Sequence, residues 1–322
     1  MRILISGSSG LIGAAVAARL AALGEIATLG RRQTCSLVAD LADPAAVAGL
    51  DLSGFDALIH CAGVVDEDFA ANPELAFRQA TLGAAALVDR AVAGGVRRLA
   101  YISSAHVYGP LVGVIDEQTA PNPLSNYAIA HYATEQIFRR AADRMAAVAL
   151  LRPCAVFGVP PDMAGFRRWG LAPFAFPRRA VLDHRIALTG AGDQRRNFVG
   201  ASDVAEVVAS WMETGDGFTI VNPVGVSSMS VWDFTRLCGR EAELITGLTC
   251  AVSREEDSGR TPGDDFDYRS RSPLRQGVAD LATHLRQFMQ LILENDRSPP
   301  TNRGAAPAIG PRGSAPTTAA DR

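Results

Sequence analysis

Lysine is absent from this sequence: all 31 basic residues are arginine, against 34 acidic residues, for a formal charge of −3. So even a balance offers no basic face to a nucleic acid and no polybasic stretch to an anionic membrane. Neither is expected as a partner. No apolar run reaches the roughly 18 residues that a membrane-spanning helix needs. Cysteine is scarce as well. The five present (Cys35, Cys61, Cys154, Cys238 and Cys250) are odd in number and contain no Cys-x-x-Cys pair. Disulfide frameworks and zinc sites leave spacing patterns, and none is seen. Reduced thiols, no bound metal and a cytoplasmic location are therefore expected. A strand that begins at residue 2 leaves no stretch to read as a signal peptide.

What is present is an ordinary globular composition, 48% hydrophobic and 20% charged over 322 residues, with room for one large domain or two unequal ones. Short apolar runs at 2–6, 26–29, 57–60, 99–103 and 147–151 read as buried strands. Ala-rich stretches at 11–23, 73–93 and 125–145 read as the helices between them. Such alternation predicts an α/β fold, a Rossmann-type doubly wound parallel sheet, followed by a smaller C-terminal lobe. Residues 1–158 are assigned to the dinucleotide-binding domain, with a strand at 218–222 returning to its sheet. Residues 159–295 are assigned mainly to a substrate lobe. There Pro160, Pro161, Pro173 and Pro177 are expected to break the chain into loops, and helices are expected at 231–238 and 273–293. Residues 296–322 lack aromatics and are rich in Pro, Gly, Ala and Thr, which predicts a disordered tail.

Gly7-Ser8-Ser9-Gly10-Leu11-Ile12-Gly13 follows the first strand and opens the first helix. In that setting the spacing points to a dinucleotide. Gly7 makes the tight turn, Gly10 admits the pyrophosphate, Gly13 allows close packing, and Ser9, Leu11 and Ile12 contribute to the same cradle at a helix N-terminus. A carboxylate ending the second strand would take the ribose 2′-hydroxyl of NAD. Here that tip reads Gly30-Arg31-Arg32, and two guanidiniums suit a 2′-phosphate. NADP(H) is favoured, with NAD(H) as the alternative. Asp40 and Leu41 are candidates to flank the adenine.

Tyr101-Ile102-Ser103-Ser104-Ala105-His106-Val107-Tyr108-Gly109, taken with the glycine motif and Tyr127, resembles the extended short-chain dehydrogenases/reductases of the NAD-dependent epimerase/dehydratase family. The resemblance extends over residues 1–295. His60-Cys61-Ala62-Gly63 is similar to the family's segment beside the cofactor. Arg152-Pro153 with Val156-Phe157-Gly158 is similar to a later cofactor loop. Arg196-Asn197-Phe198 is similar to a segment whose arginine meets substrate phosphate. The resemblance implies a nucleotide-linked sugar as substrate. It also implies Tyr127 as acid/base for hydride transfer at a sugar carbinol or keto carbon, with Ser104 hydrogen-bonded to the same oxygen. Ser103, Cys61, Ala62, Gly63, Pro153 and Val156 would lie along the cofactor, and Arg196 and His106 along the substrate. A homodimer through the 73–93 and 125–145 helices is likewise implied.

Three positions depart from the family pattern. Ala80 stands where an Asn is usual, although Gly83 keeps its glycine, and Ala155 stands where an Asn often meets the substrate diphosphate. The largest departure is Tyr127-Ala128-Ile129-Ala130-His131 in place of Tyr-x-x-x-Lys. Residues i and i+4 share a helix face, so His131 occupies the lysine's place. An imidazole can hydrogen-bond the nicotinamide ribose. It supplies positive charge only when protonated, about a quarter of the time at pH 7 for a free ring. A 4,6-dehydratase is disfavoured, since His106 stands where those enzymes carry the glutamate that serves elimination. The leading expectation is an NADP(H)-dependent reductase. The alternatives are an epimerase that retains its cofactor, or a non-catalytic dinucleotide-binding protein in which His131 records lost chemistry.

Overall fold

The computed structural model describes residues 1–255 and 266–297. Seven strands form its main sheet: β1 (Arg2–Ser6), β2 (Glu25–Gly30), β3 (Leu37–Val38), β4 (Ala57–His60), β5 (Arg98–Ile102), β6 (Ala147–Leu151) and β7 (Gly217–Val221). Their order is β7-β6-β5-β4-β1-β2-β3, and every neighbouring pair is parallel. The chain thus starts in the middle, winds out to β3 and resumes at β4 on the other side of β1. The reversal leaves a crevice beyond the carboxyl ends of β1 and β4, where ligands of doubly wound sheets bind.

The central strands are apolar on both faces because helices cover both. Ile3, Leu4, Ile5, Leu58 and Ile59 are wholly buried. On one side the helix Leu11–Leu20 packs against the helix Ala201–Thr214 through Val16, Leu20, Val204, Val208 and Trp211. On the other lie the helices Ala84–Ala93 and Asn126–Arg139, with Leu87, Val88 and Phe138 in the core. Truncating any one of these large side chains would cost about 2–5 kcal/mol.

Several elements differ from the sequence reading. The single helix expected over 73–93 is Pro73–Arg78 and Ala84–Ala93 joined by a π-helical turn, Gln79–Gly83. That turn presses on the loop after β3, since a Cβ on Gly83 would overlap the Leu41 carbonyl oxygen. The Ala80 carbonyl accepts from Thr134 Oγ1 at 2.6 Å. Pro173 and Pro177 do not break the chain but lie within the helix Ala172–Leu182. Pro173 sits in the first turn, where no amide donor is needed, and Pro177 removes one bond only, to the Pro173 carbonyl. Burial of Phe174, Ala180 and Val181 holds this helix. The helix expected at 273–293 runs Leu281–Arg297, and the one expected at 231–238 continues to Thr246. The tail read from residue 296 lies outside the described residues except for Asp296 and Arg297, which end that last helix.

The helices Ala172–Leu182, Val231–Thr246 and Leu281–Arg297 pack around Phe174, Phe198, Phe234 and Phe288 as a second core beside the crevice. A three-stranded sheet of Ala155–Phe157, Arg195–Gly200 and Ser227–Ser230 joins it to the main sheet. Among the described residues no helix is long and apolar enough to cross a membrane.

Candidate active site

The crevice is a cleft of about 490 Å³. One end is made of backbone. Gly7 turns the chain out of β1 at φ +73°. A Cβ there would stand 2.6 Å from the Ala62 nitrogen at the end of β4, and one on Gly13 would overlap the Gly7 carbonyl oxygen. Any side chain at either position would push the loop off the sheet. The helix Leu11–Leu20 begins without a side-chain cap and without an acid in its first turn. The first amide to bond back is Ala14, to Gly10 at 2.9 Å. The Leu11, Ile12 and Gly13 amides have no partner within the helix, and these residues, with Ser9 and Gly10, line the cleft. Unfilled amides and a positive helix end form a phosphate site.

Arg31 and Arg32, just past β2, line the same cleft. Arg32 reaches Asp162 at 3.4 Å, with the two side chains 62% and 42% exposed. Asp40 and Leu41 do not line it. The Asp40 carboxylate accepts from the Ala42 amide at 2.9 Å, and Leu41 is buried against the Gly83 turn. Ala62 also faces away, into the core. Those three expected cofactor contacts shape the wall rather than form it.

The other end is made of side chains. Cys61, Gly63, Ser103, Ser104, Tyr127, His131, Pro153 and Val156 all line it. Ser104 follows β5 as the cap of a short turn, its Oγ accepting from the His106 amide at 3.2 Å. That leaves the hydroxyl proton free to donate. Tyr127 and His131 stand one turn apart on the helix Asn126–Arg139, which Ser125 caps through the Ala128 amide at 3.2 Å. Their rings are 4.4 Å apart. His131 is nearly fully buried, and its Nδ1 lies 2.6 Å from the Tyr101 hydroxyl. Gly63 leaves room for the ring, since a Cβ there would come within 3.2 Å of the His131 Cε1. Burial first, and then the nearby Arg168 charge, push the His131 pKa down to about 3. The partial protonation expected of a free ring is removed, and His131 is neutral at pH 7.

Ser103 Oγ and His131 Nε2 are buried without a hydrogen-bond partner. Buried polar atoms are rarely left so, and both belong to residues of the cleft wall. Together with the unfilled helix amides, they fit a dinucleotide that runs from the glycine loop to Tyr127.

His106 and Arg196, the two residues expected along the substrate, lie outside this lining. The His106 ring stands edge-on to Tyr127 at 5.9 Å. His106 is exposed to solvent, and packing around its ring together with the nearby Arg196 charge lowers its pKa. Arg196 donates to the Arg195 carbonyl at 2.7 Å. The sequence reading missed the segment after Pro160-Pro161. Asp162, Phe166, Arg167 and Arg168 all line the cleft, and Arg167 reaches Asp68 at 2.6 Å. The Phe-Arg-Arg-Trp run at 166–169 was the available signal, because paired guanidiniums among aromatics suit a charged ligand.

The model of the NAD dependent epimerase/dehydratase family matches residues 3–222. Curated relatives include an uncharacterised protein of Sinorhizobium fredii, 32% identical over 157 residues, which is 48% of this chain and 37% of that protein. Another is the dTDP-D-glucose 4,6-dehydratase of Mus musculus, 28% identical over 150 residues, covering 44% and 38% respectively. The chain thus matches well under half the length of these relatives. Among solved structures, MoeE5 in complex with UDP-glucose and NAD superposes with a TM-score of 0.72 at 22% identity, over 92% of this chain and all of that one. A UDP-glucose 4-epimerase of Thermotoga maritima with UDP-glucose reaches a TM-score of 0.74 at 20% identity, over the same shares. These likenesses establish a shared fold.

Proposed function

The chain belongs to the NAD-dependent epimerase/dehydratase family, and from that premise we propose that it moves hydride at a carbinol or keto carbon of a nucleotide-linked sugar. One observation carries the reading: a single cleft joins an unfilled helix N-terminus to a serine and a tyrosine. A bound nicotinamide supplies or accepts the hydride. Tyr127 exchanges the proton on the sugar oxygen, and Ser104 donates a hydrogen bond to that oxygen and aligns it. His131 Nε2 and Ser103 Oγ hold the cofactor near its nicotinamide end. Arg196 and His106 face the substrate. Family and fold support NAD(H), while Arg31 and Arg32 favour NADP(H), because no carboxylate occupies the end of β2.

The test is turnover of a panel of nucleotide sugars and their keto forms, with the cofactor followed by absorbance. Tyr127→Phe is expected to lower the rate about 10²–10⁴-fold, with dinucleotide binding retained. Full activity in that variant would remove the assignment. Net NADPH consumption identifies a reductase, and turnover without consumption an epimerase. The neutral His131 is the one feature that favours a non-catalytic binder, and a wild type without turnover would select it. A homodimer is part of the proposal. Leu75, Leu82 and Ile129 are 49%, 55% and 43% exposed on the two helical stretches expected to pair, and a monomer mass by light scattering would reject it.

A further inference from the structure

With His131 neutral, the helix that carries Tyr127 presents no positive charge to it. Another segment does. Arg168 lines the cleft, and its guanidinium carbon stands 5.8 Å from the centre of the Tyr127 ring. Its Nε is buried without a hydrogen-bond partner, and no carboxylate among the described residues pairs with it. Its neighbours are paired. Asp162 meets Arg32 at 3.4 Å and Arg167 meets Asp68 at 2.6 Å, which pins the segment to both walls of the cleft. Trp169, stacked on Phe288 at 6.1 Å, roots it in the second core. Arg168 is thus held between two ion pairs with its own charge uncompensated.

The other groups around Tyr127 do not supply that charge. On its own helix stands His131, neutral. Beneath it, from β5, lies Tyr101, whose hydroxyl burial keeps protonated. Behind these, from β4, is His60, also pushed down by burial, to about 4. From the turn after β5 comes His106, with its lowered pKa and with Arg196 and Asp66 near it. Asp68 is engaged by Arg167.

We propose that Arg168 is a positioning residue for the reaction: its guanidinium, lying against the Tyr127 ring, stabilises the ionised tyrosine oxygen during proton transfer. The proposal rests on the reading of Tyr127 as the acid/base. A guanidinium is suited to the place. It stays charged at any working pH, and its flat face packs on an aromatic ring. A ligand that fills the cleft would exclude solvent from the two groups, which strengthens their attraction. The charge that relatives with Tyr-x-x-x-Lys carry on the helix is here delivered by a segment that lines the cleft.

The test is an ultraviolet difference titration of tyrosinate in the NAD⁺-loaded protein, comparing wild type with Tyr127→Phe, Arg168→Gln and Arg168→Lys. NADH fluorescence reports cleft integrity in each. The component that Tyr127→Phe removes is expected at higher pH in Arg168→Gln and near its original position in Arg168→Lys. The acid limb of an oxidation, or the alkaline limb of a reduction, should move with it. An unmoved component in Arg168→Gln overturns the proposal, as does Arg168→Lys behaving like Arg168→Gln, which would show packing rather than charge. If Arg168→Gln loses NADH binding, Arg168→Met, which keeps the stem, carries the same comparison. A displaced component without turnover on any nucleotide sugar would keep the Arg168 role and retire the proposed function. Turnover with an unmoved component would do the reverse.

Discussion

The two ends of the cleft are built by different means. At the phosphate end the candidate binding groups are the backbone amides of Leu11 to Gly13, which open one helix directly after the loop that begins at Gly7. At the chemical end residues come from four separate places: Gly63 after β4, whose missing side chain leaves room for the His131 ring, Ser104 after β5, Tyr127 and His131 on one helix, and Arg168 on the segment beyond the paired prolines. A backbone site tolerates no added atom but is indifferent to side-chain chemistry. A side-chain site tolerates exchange of residue types, provided that each hydrogen bond and charge is supplied from somewhere. On the proposed reading, that difference is how a lysine-free chain would keep an active site of this kind.

The strongest way to break the chemical end alone is from beneath. Glu135, two turns beyond Tyr127, takes both arms of Arg152 at 2.8 and 2.6 Å, with 0% and 2% of the side chains exposed. The Arg152 guanidinium also lies 4.7 Å from the centre of the Tyr108 ring. Glu135→Ala strands a buried charge, and the expected loss is about 3–5 kcal/mol in urea unfolding. The double variant Glu135→Leu/Arg152→Met should recover most of it, because the burden is an unpaired charge rather than a missing attraction. A loss below about 1 kcal/mol in the single variant would mean that the pair is hydrated.

The phosphate end breaks differently. Gly13→Ala drives a methyl group into the Gly7 carbonyl, and an overpacking loss of about 1–3 kcal/mol is expected. Gly10→Ala has its nearest contact at 3.4 Å, the Gly7 oxygen, so the fold should keep its stability while the added methyl group faces the ligand. Thermal unfolding and dinucleotide titration of both variants separate the two roles. Equal stability losses would show that Gly10 is also a packing glycine.

The same contrast explains what the sequence disclosed. The glycine loop was legible because a backbone site needs fixed spacing beside a strand, and strands β1, β4 and β6 fell where their apolar runs stand. The Tyr127/His131 pair was legible through helical spacing. The neutrality of His131 was not, since it depends on burial against Tyr101 of β5, whose ring stacks on His131 at 5.8 Å and which the sequence does not place beside the helix. The helix Ala201–Thr214 went unread although Val204, Val207, Val208 and Trp211 carry its apolar face. Asp40 and Leu41 lie outside the lining of the cleft, and nothing local reveals that the Gly83 turn closes on Leu41. The Phe-Arg-Arg-Trp run offered a signal for Arg168, but its contact with Tyr127 was not legible because that ring lies 41 positions earlier in the chain.

Acid should weaken the chemical end first. His60 and His131 are held neutral by burial, with pKa values of about 4 and about 3. The unfolded rings bind protons below about pH 6.5 while the folded ones do not. Their contribution is therefore complete above that pH and is lost as pH falls toward the folded values, at about 1.4 kcal/mol per unit for each ring. Urea unfolding at about pH 7.5 and about pH 5.5 measures the slope, and His131→Asn should flatten it. A slope indifferent to that substitution would mean that water or a ligand group reaches the ring.

The smallest effect probes the arginines at the end of β2. Arg32 is shared between the cleft and Asp162, through an ion pair at 3.4 Å whose partners are mostly in solvent. Exposed pairs of this kind are worth about 0.2–1 kcal/mol. Releasing Arg32 by Asp162→Asn should therefore raise NADPH affinity no more than about fivefold and leave NADH affinity alone, because only the 2′-phosphate competes with the carboxylate for the guanidinium. Fluorescence titration of both cofactors, at low salt where exposed charges act, reads the difference. The gain should disappear in an Arg32→Ala background. An equal gain for both cofactors would instead assign Asp162 to closure of the segment that carries Arg168, and would shift the cofactor preference of this end of the cleft onto Arg31 alone.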